Sequence, residues 1–247
     1  MKYYLLLLMP VLSCLTGISL ARKLPSFIEV CRPKHTDINE CLKRNIEILK
    51  PKLKDGIPEM HIPSFRPYVL PQANVQLGDN FFATIKNLSL SLPKSFIVDD
   101  LKADLDKVKL YIKLRIPEIV ATTQYSLKGR LLILNLDGEG AGYINLTDVH
   151  AEVTGYGKKE NRNGKDYLVI GDFDILPKTK SMHLILENLF PNNQELTDSA
   201  NKLFNENQQV LLEDFNPAIL KIVKEIIIGL MSNFFNRYSY DVLFPDD

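Results

Sequence analysis

The sequence has no surplus of charge, since 30 Lys and Arg residues balance 30 Asp and Glu residues. Nucleic acids and anionic lipid surfaces attract proteins through an excess of basic residues, so this balance argues against both as partners. Apolar runs long enough to cross a bilayer are also missing, except at the N-terminus. We therefore expect no integral membrane association.

Motifs that carry catalysis or hold a metal are missing too. The four histidines are scattered without H-E-x-x-H spacing, and no G-x-S-x-G follows the N-terminal segment. The carboxylates at Asp99-Asp100 and Asp104/Asp106 lie in a highly charged stretch and form no isolated pair. Residues 138–142 resemble a dinucleotide-binding loop only faintly, and we interpret them as a turn. We predict no enzymatic activity, no metal site and no cofactor.

The N-terminal apolar run has the pattern of a secretory signal peptide covering residues 1–21. Lys2 supplies the positive start, and Ala21 offers a small residue at the cleavage position. An uncleaved membrane anchor is the alternative, but Pro10 interrupts the short run. We predict a secreted, extracellular protein with one domain over residues 22–247.

If the protein is secreted, its cysteines can form a disulfide and two of its asparagines can be glycosylated. Cys14 leaves with the signal, and Cys31 and Cys41 remain as an even pair in an oxidising compartment, which is most simply a disulfide. A redox or metal pair would need C-x-x-C spacing or nearby ligands. Asn87 and Asn145 each begin an N-x-[ST] triplet, so each is a candidate glycosylation site.

Near the C-terminus, residues 196–237 show the 3.6-residue apolar period of a helix. Over residues 218–235 the apolar side chains cover nearly every side, so this part should be buried nearly all round. Pro217 removes a backbone donor, and it predicts either a kink or a restart with Asn216 as N-cap.

A shorter helix is predicted near the N-terminus. Asp37 resembles an N-cap with Glu40 three residues on, and an apolar stripe follows from Ile38 to Leu53. Because Cys41 falls in the first turn, a disulfide would hold the preceding segment against this helix.

Between these helices, from about residue 75 to residue 189, the apolar period changes to two, which indicates strands. The strands are expected at residues 88–92, 108–116, 125–133, 143–153, 167–175 and 182–186. Asn163-Gly164 predicts a hairpin turn. The apolar phase slips between Ile85 and Leu88 and between Leu105 and Val108, which suggests bulges.

Long, bulged antiparallel strands curl, and a helix that is apolar on every side needs cover. We therefore predict an α+β protein in which a strongly curved antiparallel sheet wraps the long C-terminal helix. The pattern alone leaves open whether the space between them is a packed core or a ligand cavity.

Several segments together resemble the insect takeout / juvenile-hormone-binding protein family, over nearly the full length after the signal. The matching segments are residues 24–31, 39–41, 56–59, 96–98, 129–131, 136–140, 189–196, 203–207 and 240–244. The single early disulfide is similar to the takeout branch. The family usually has Trp after the Asn-Glu-Asn motif, whereas this chain has Gln208 and no Trp at all.

The resemblance implies a TULIP-like super-roll with an apolar tunnel between helix and sheet. The expected function is a secreted carrier, in haemolymph or tissue fluid, for a juvenile-hormone-like terpenoid, fatty acid or other lipid, linked to circadian, feeding or chemosensory physiology. We expect a monomer, and any cell-surface receptor is unknown. The candidate tunnel-lining residues are Leu110, Ile112, Leu114, Ile133, Phe204, Phe215, Ile222 and Ile226. The alternative is a signalling protein that acts through its surface without a bound lipid.

Overall fold

The computed structural model describes residues 23–91 and 96–246, so the predicted signal peptide lies outside the described residues. In these described residues, four α-helices and six strands follow one another with a 3-10 turn at Pro58–Met60. The helices are α1 (Ile38–Leu53), α2 (Gln194–Glu206), α3 (Gln208–Phe235) and α4 (Tyr240–Leu243). The strands are β1 (Tyr68–Leu77), β2 (Phe81–Ser91), β3 (Ile97–Asp104), β4 (Lys109–Leu131), β5 (Leu134–Arg162) and β6 (Lys165–Leu186).

The six strands form one antiparallel sheet in the order β1-β2-β4-β5-β6, and β3 pairs with the first part of β4. β4, β5 and β6 contain 23, 29 and 22 residues. The sequence pattern divided β4 and β6 into two strands each, and this prediction was wrong. Both are continuous because β5 pairs with them along almost their whole length.

Pro117 shows why β4 can continue where a break was expected. Proline cannot donate to a strand ladder and is normally confined to edges. On one side, β4 pairs with β3 up to Arg115 and with β2 only from Val120. Among the described residues, Pro117 therefore lies in a gap between two partners, where neither β2 nor β3 pairs with it.

The turns and bulges agree with the sequence in part. Asn163 and Gly164 have positive φ and connect β5 to β6, which confirms the hairpin. The expected bulge in β2 is confirmed, since the register shifts between Lys86 and Ser89. The second phase slip is instead the turn between β3 and β4, where Val108 has a φ of 48°.

The C-terminal helical region breaks at Asn207, ten residues before Pro217, where the kink or restart was expected. Asn207 has non-helical ψ, and its side-chain Nδ2 donates to the carbonyl of Leu203 at 2.8 Å. Asn216 is not an N-cap, and α3 continues through Pro217. Pro217 is exposed, so water can reach the backbone acceptor that the proline leaves free.

α3 runs along β6 and β1, which are the two edges of the sheet. A flat sheet could not bring both edges to one helix, so the sheet curls around it. The prediction of a curved antiparallel sheet wrapped around the long C-terminal helix is confirmed. The concave face of the middle strands thus faces α3 across an interior space.

Side-chain amides cover the free edge of β6. The amides of Asn201 and Asn205 each exchange two hydrogen bonds with the backbone of Leu186 and Leu184, at 2.7–2.9 Å. Gln208 Oε1 accepts from the N–H of Met182 at 2.6 Å. Four residues of helix rise by about 6 Å, which is close to the rise of two residues in a strand. Amides four residues apart on one helix face can therefore bond to every second residue of the strand. We call this set the amide ladder.

Gly138 and Gly140 lie within β5, so their interpretation as a turn was wrong. A Cβ at Gly138 would stand 2.3 Å from the Leu189 carbonyl oxygen, and one at Gly140 would stand 2.0 Å from that of Glu187. The glycines therefore provide space for the segment that leaves β6 to cross the strand.

The N-terminal segment is attached to α1, as expected. Cys31 and Cys41 form a disulfide, and Asp37 caps the helix by accepting from the N–H of Asn39 and Glu40. The Asn45 amide exchanges two 2.8 Å hydrogen bonds with the backbone of Glu29. This assembly lies at the C-terminal end of α3, because Leu24 packs in the cluster that contains Phe234 and Tyr238.

Candidate functional site

The space between α3 and the concave face of the sheet is filled by side chains at its α2 end. Phe204, Leu211 and Leu189 have no exposed surface, and the ring of Phe81 meets that of Phe215 edge to face at 5.7 Å. We call this group, with the other residues packed around it, the α2 cluster. Its buried members are Val75, Phe81, Ala83, Tyr125, Leu127, Leu131, Leu136, Leu186, Leu189, Ala200, Phe204 and Leu211.

A second group, the β6 cluster, consists of Val153, Phe173 and Ile175. Ile112 from β4 packs against it, as do Val223 and Ile227 from α3. On the helix, these contacts lie on the side opposite Phe215, Ala218 and Ile222, which pack against the α2 cluster. α3 is thus held between two clusters on opposite faces.

The two remaining faces of α3 differ in chemistry. One carries the charged side chains of Asp214, Lys221 and Glu225, all exposed to solvent. The opposite face carries Leu212, Ile219, Ile226 and Leu230, spaced seven or four residues apart; we call them the inward stripe. Because the charged face points to solvent and the flanking faces contact the sheet, the inward stripe faces the concave surface.

The inward stripe is only partly covered. Ile219 is 38% exposed, and Leu212, Ile226 and Leu230 are half-buried. Across the space, Leu110 and Leu114 of β4 are also half-buried and lie on the same side of the strand as Ile112. Protein interiors are normally close-packed, whereas the described residues leave these apolar side chains partly uncovered.

The eight candidate lining residues therefore fall into three groups. Leu110, Ile112, Leu114 and Ile226 border the partly covered space, with Phe215 and Ile222 where it meets the α2 cluster. Phe204 is fully buried inside the α2 cluster and belongs to the packed core. Ile133 is 73% exposed and does not belong to the site. It lies in the two-residue turn between β4 and β5, where Leu132 has positive φ, so the alternation that placed Ile133 inside ends at Leu131.

The sequence patterns missed the inward residues Leu212, Ile219 and Leu230. Their seven-residue and four-residue spacing was visible, but nearly every face of α3 carries apolar residues, so the apolar pattern did not distinguish the inward face. The charged residues on the opposite face were the signal that could have found it.

Tyr125 is a buried member of the α2 cluster that has a polar side-chain group. Its hydroxyl donates to the carbonyl of Glu187 at 2.7 Å, and the side chain is 4% exposed. Burial, with a smaller contribution from the Glu187 carboxylate, raises the pKa of Tyr125 to about 12. Tyr125 is therefore a neutral hydrogen-bond donor throughout the physiological range.

The charged groups on the outer face of the sheet are paired with one another. The carboxylate of Asp99 accepts bonds of 2.7–2.9 Å from Arg115, and the Arg115 guanidinium lowers the pKa of Asp99. Tyr111 donates to Glu152 at 3.1 Å, and Lys113 is 3.4 Å from the same carboxylate. These pairs occupy the solvent-facing surface and take no part in the apolar site.

The two sequons lie on the same sheet but in different surroundings. Asn87 is exposed, at the bulge in β2, with a φ of 50°. Asn145 is half-buried in β5, and its Nδ2 donates to Glu118 at 2.8 Å.

Within residues 23–91 and 96–246, His, Cys, Asp and Glu form no group of three that could hold a metal ion. The helices of the same residues include none with the length and apolar character needed to span a bilayer.

Comparisons with known proteins give consistent results. The model of the family "Haemolymph juvenile hormone binding protein (JHBP)" matches residues 6–245. The circadian clock-controlled protein daywake of Drosophila melanogaster is 29% identical over 234 residues, covering 90% of this chain and 89% of daywake. The protein of the same name in Drosophila yakuba is 27% identical over 232 residues, covering 89% of this chain and 88% of that protein. The crystal structure of Takeout 1 from Epiphyas postvittana has the same fold, with a TM-score of 0.74, 21% identity and coverage of 86% of this chain and 97% of Takeout 1.

Proposed function

The chain belongs to the haemolymph juvenile hormone binding protein family, and we propose that it is a secreted carrier that holds a hydrophobic small molecule between the inward stripe and β4. The observation that carries the proposal is the exposure of Ile219, an inward apolar side chain that is 38% uncovered. A ligand placed there would cover Ile219 together with Leu114 and Ile226.

Burial of apolar surface would supply the affinity. At about 25 cal/mol per Å² removed from water, a ligand burying roughly 300 Å² gains about 7 kcal/mol before ordering costs. The bordering residues include no charged side chain, so the site suits the apolar part of a lipid such as a terpenoid ester, a fatty acid or a quinone-like lipid. The names of the daywake relatives support a link to circadian physiology.

Mass spectrometry of the protein purified from its own tissue tests the proposal directly. We expect an apolar molecule to co-purify and to be released by solvent extraction. Its absence in native spectra and in the extract would favour a surface-acting signalling protein instead.

Matched glutamine substitutions locate the site. Ile219→Gln should weaken binding of the extracted lipid by tenfold or more, because a polar amide loses hydration of about 1–3 kcal/mol when the ligand covers it. Leu176→Gln is the control, since Leu176 is also an exposed apolar side chain, at 67%, but lies on β6 opposite Glu152 on the outer face. Equal affinities in the two variants would contradict this placement.

A further inference from the structure

The outer face of the sheet contains a hollow of about 400 Å³, far from the charged pairs at Asp99 and Glu152. One row of paired residues, Ser89, Thr122, Tyr143 and Ile185, crosses four neighbouring strands there. Beside it Gln124 pairs with Ala141, whose short side chain leaves the hollow unfilled. The side chains that border it are Asn87, Thr122, Gln124, Tyr143, Ile185 and Glu187.

The chemistry of this hollow suits a sugar. Amides, a hydroxyl and a phenol can exchange hydrogen bonds with sugar hydroxyls, and an aromatic ring with an aliphatic side chain can cover the apolar face of a pyranose. Glu187 is the one charged residue among those bordering the hollow.

Asn87 connects this chemistry to a covalent source of sugar. It begins the triplet Asn87-Leu88-Ser89 and itself borders the hollow. The register shift between Lys86 and Ser89 leaves Asn87 outside the strand pairing, and its left-handed φ of 50° is one that asparagine tolerates. Its exposed side chain makes no hydrogen bond to the described part of the chain.

Asn145 differs in each of these respects. It is paired on both sides, with Val120 and His183, and its Nδ2 is bonded to Glu118. Its Oδ1 is buried without a partner in the described residues. A sugar on this amide would have to be accommodated at a packed position, at the expense of the bond to Glu118.

We propose that Asn87, and not Asn145, carries an N-linked glycan, and that the first N-acetylglucosamine occupies the outer hollow. This proposal rests on the proposed function in one respect, because N-linked glycosylation requires that the protein is secreted. In the transfer, the Asn87 Nδ2 displaces a polyprenyl diphosphate from C1 of the donor sugar. An N–C bond forms, the C–O bond to the diphosphate breaks, and the amide gives up one proton.

The site is tested by the mass of protein secreted from insect cells, before and after removal of N-glycans. Asn87→Gln should lose the glycan mass, and Asn145→Gln should retain it. A glycan that persists in Asn87→Gln, or wild-type protein without any glycan, overturns the proposal. If the protein stays inside the cells, the proposal of a secreted carrier is contradicted. The mass of the retained protein and of its variants still shows whether Asn87 or Asn145 carries a glycan.

Seating in the hollow is tested with the glycan trimmed to one N-acetylglucosamine. The trimmed protein should melt about 2–4 °C above Asn87→Gln. Tyr143→Ala should abolish this difference, whereas Tyr156→Ala, which alters another outer-face tyrosine bonded to Asp174, should leave it unchanged. A difference that survives Tyr143→Ala overturns the seating.

Discussion

The two ends of the space beneath α3 are built from the same types of residue but are packed differently. At the α2 end, Phe204, Leu211 and Leu189 are completely buried. Further along α3, Ile226 and Leu230 remain half-buried, facing Leu110 and Leu114 across the interior. The α2 end has more aromatic side chains, since Phe81, Tyr125, Phe204 and Phe215 belong to or contact the α2 cluster, whereas Phe173 is the aromatic member of the β6 cluster.

The difference shows how one sheet and one helix can provide both a packed core and a partly covered apolar surface, which we propose as the ligand site. α2 adds a second helix at the packed end and fixes the edge of β6 through the amide ladder. Beyond it, α3 contacts the two edge strands of the sheet, β6 and β1. Stability is therefore expected to depend on the α2 end and ligand binding on the rest.

The largest expected effect follows from removing the side chain at the centre of the packed end. Phe204→Ala should lower the free energy of unfolding by about 3–5 kcal/mol, since a fully buried ring leaves a cavity. Leu114→Ala is the comparison in the half-buried region and should lower it by less than about 2 kcal/mol. Urea unfolding of the two variants measures both values. Equal losses would mean that the two regions are packed alike.

Loss of the disulfide should act on the end opposite α2. Each of Cys31→Ser and Cys41→Ser should lower the free energy of unfolding by about 2–4 kcal/mol. Because the bridge fixes the segment that packs beside Phe234, the variants should also release ligand faster. Stopped-flow dissociation measures the rate. Two free thiols in unreduced, denatured wild-type protein would contradict the pairing.

The amide ladder should contribute next. Asn205→Leu leaves the N–H and C=O of Leu184 without their partners, which should cost about 1–3 kcal/mol and speed hydrogen exchange at Leu184. Gln194→Leu on the same helix is the control, because within the described residues the Gln194 side chain bonds only to exposed Asp198. Unchanged exchange at Leu184 in Asn205→Leu would show that the ladder does not protect this edge.

The smallest expected effect is a pH dependence at Tyr125. An unfolded tyrosine loses its proton near pH 10, whereas folded Tyr125 keeps it until about pH 12. The unfolded state therefore binds fewer protons over this interval, and stability falls as the pH rises. Tyr125→Phe lacks this contribution, so the melting-temperature gap between wild type and variant should narrow above pH 10. A constant gap would indicate that the Tyr125 pKa is not raised.

Local chemistry in the sequence was sufficient for several elements. Asp37 as N-cap, the Asn163-Gly164 hairpin and the bulge near Asn87 depend on residues close in the chain, and all three are confirmed. The wrapped arrangement was also predictable, because a helix apolar on every side leaves few alternatives.

Other features depend on contacts between distant residues, which periodicity does not report. Gly138 was interpreted as a turn because the pattern does not show that residue 189 crosses over it. Pro217 was expected to kink the helix or to restart it, yet the break falls at Asn207, next to Gln208, whose side-chain Oε1 accepts from the N–H of Met182. The direction of the inward face of α3 depends on where the two edge strands contact the helix.

Tryptophan fluorescence at Ile219 tests the central claim most directly, because the chain has no natural tryptophan. Ile219→Trp and the outer-face control Leu176→Trp are each freed of lipid and titrated with a lipid extract of the protein's own tissue. If a lipid binds beneath α3, the fluorescence emission of Ile219→Trp should shift saturably to shorter wavelength, and that of Leu176→Trp should not shift. No shift in Ile219→Trp, or the same shift in both variants, would contradict a ligand beneath α3.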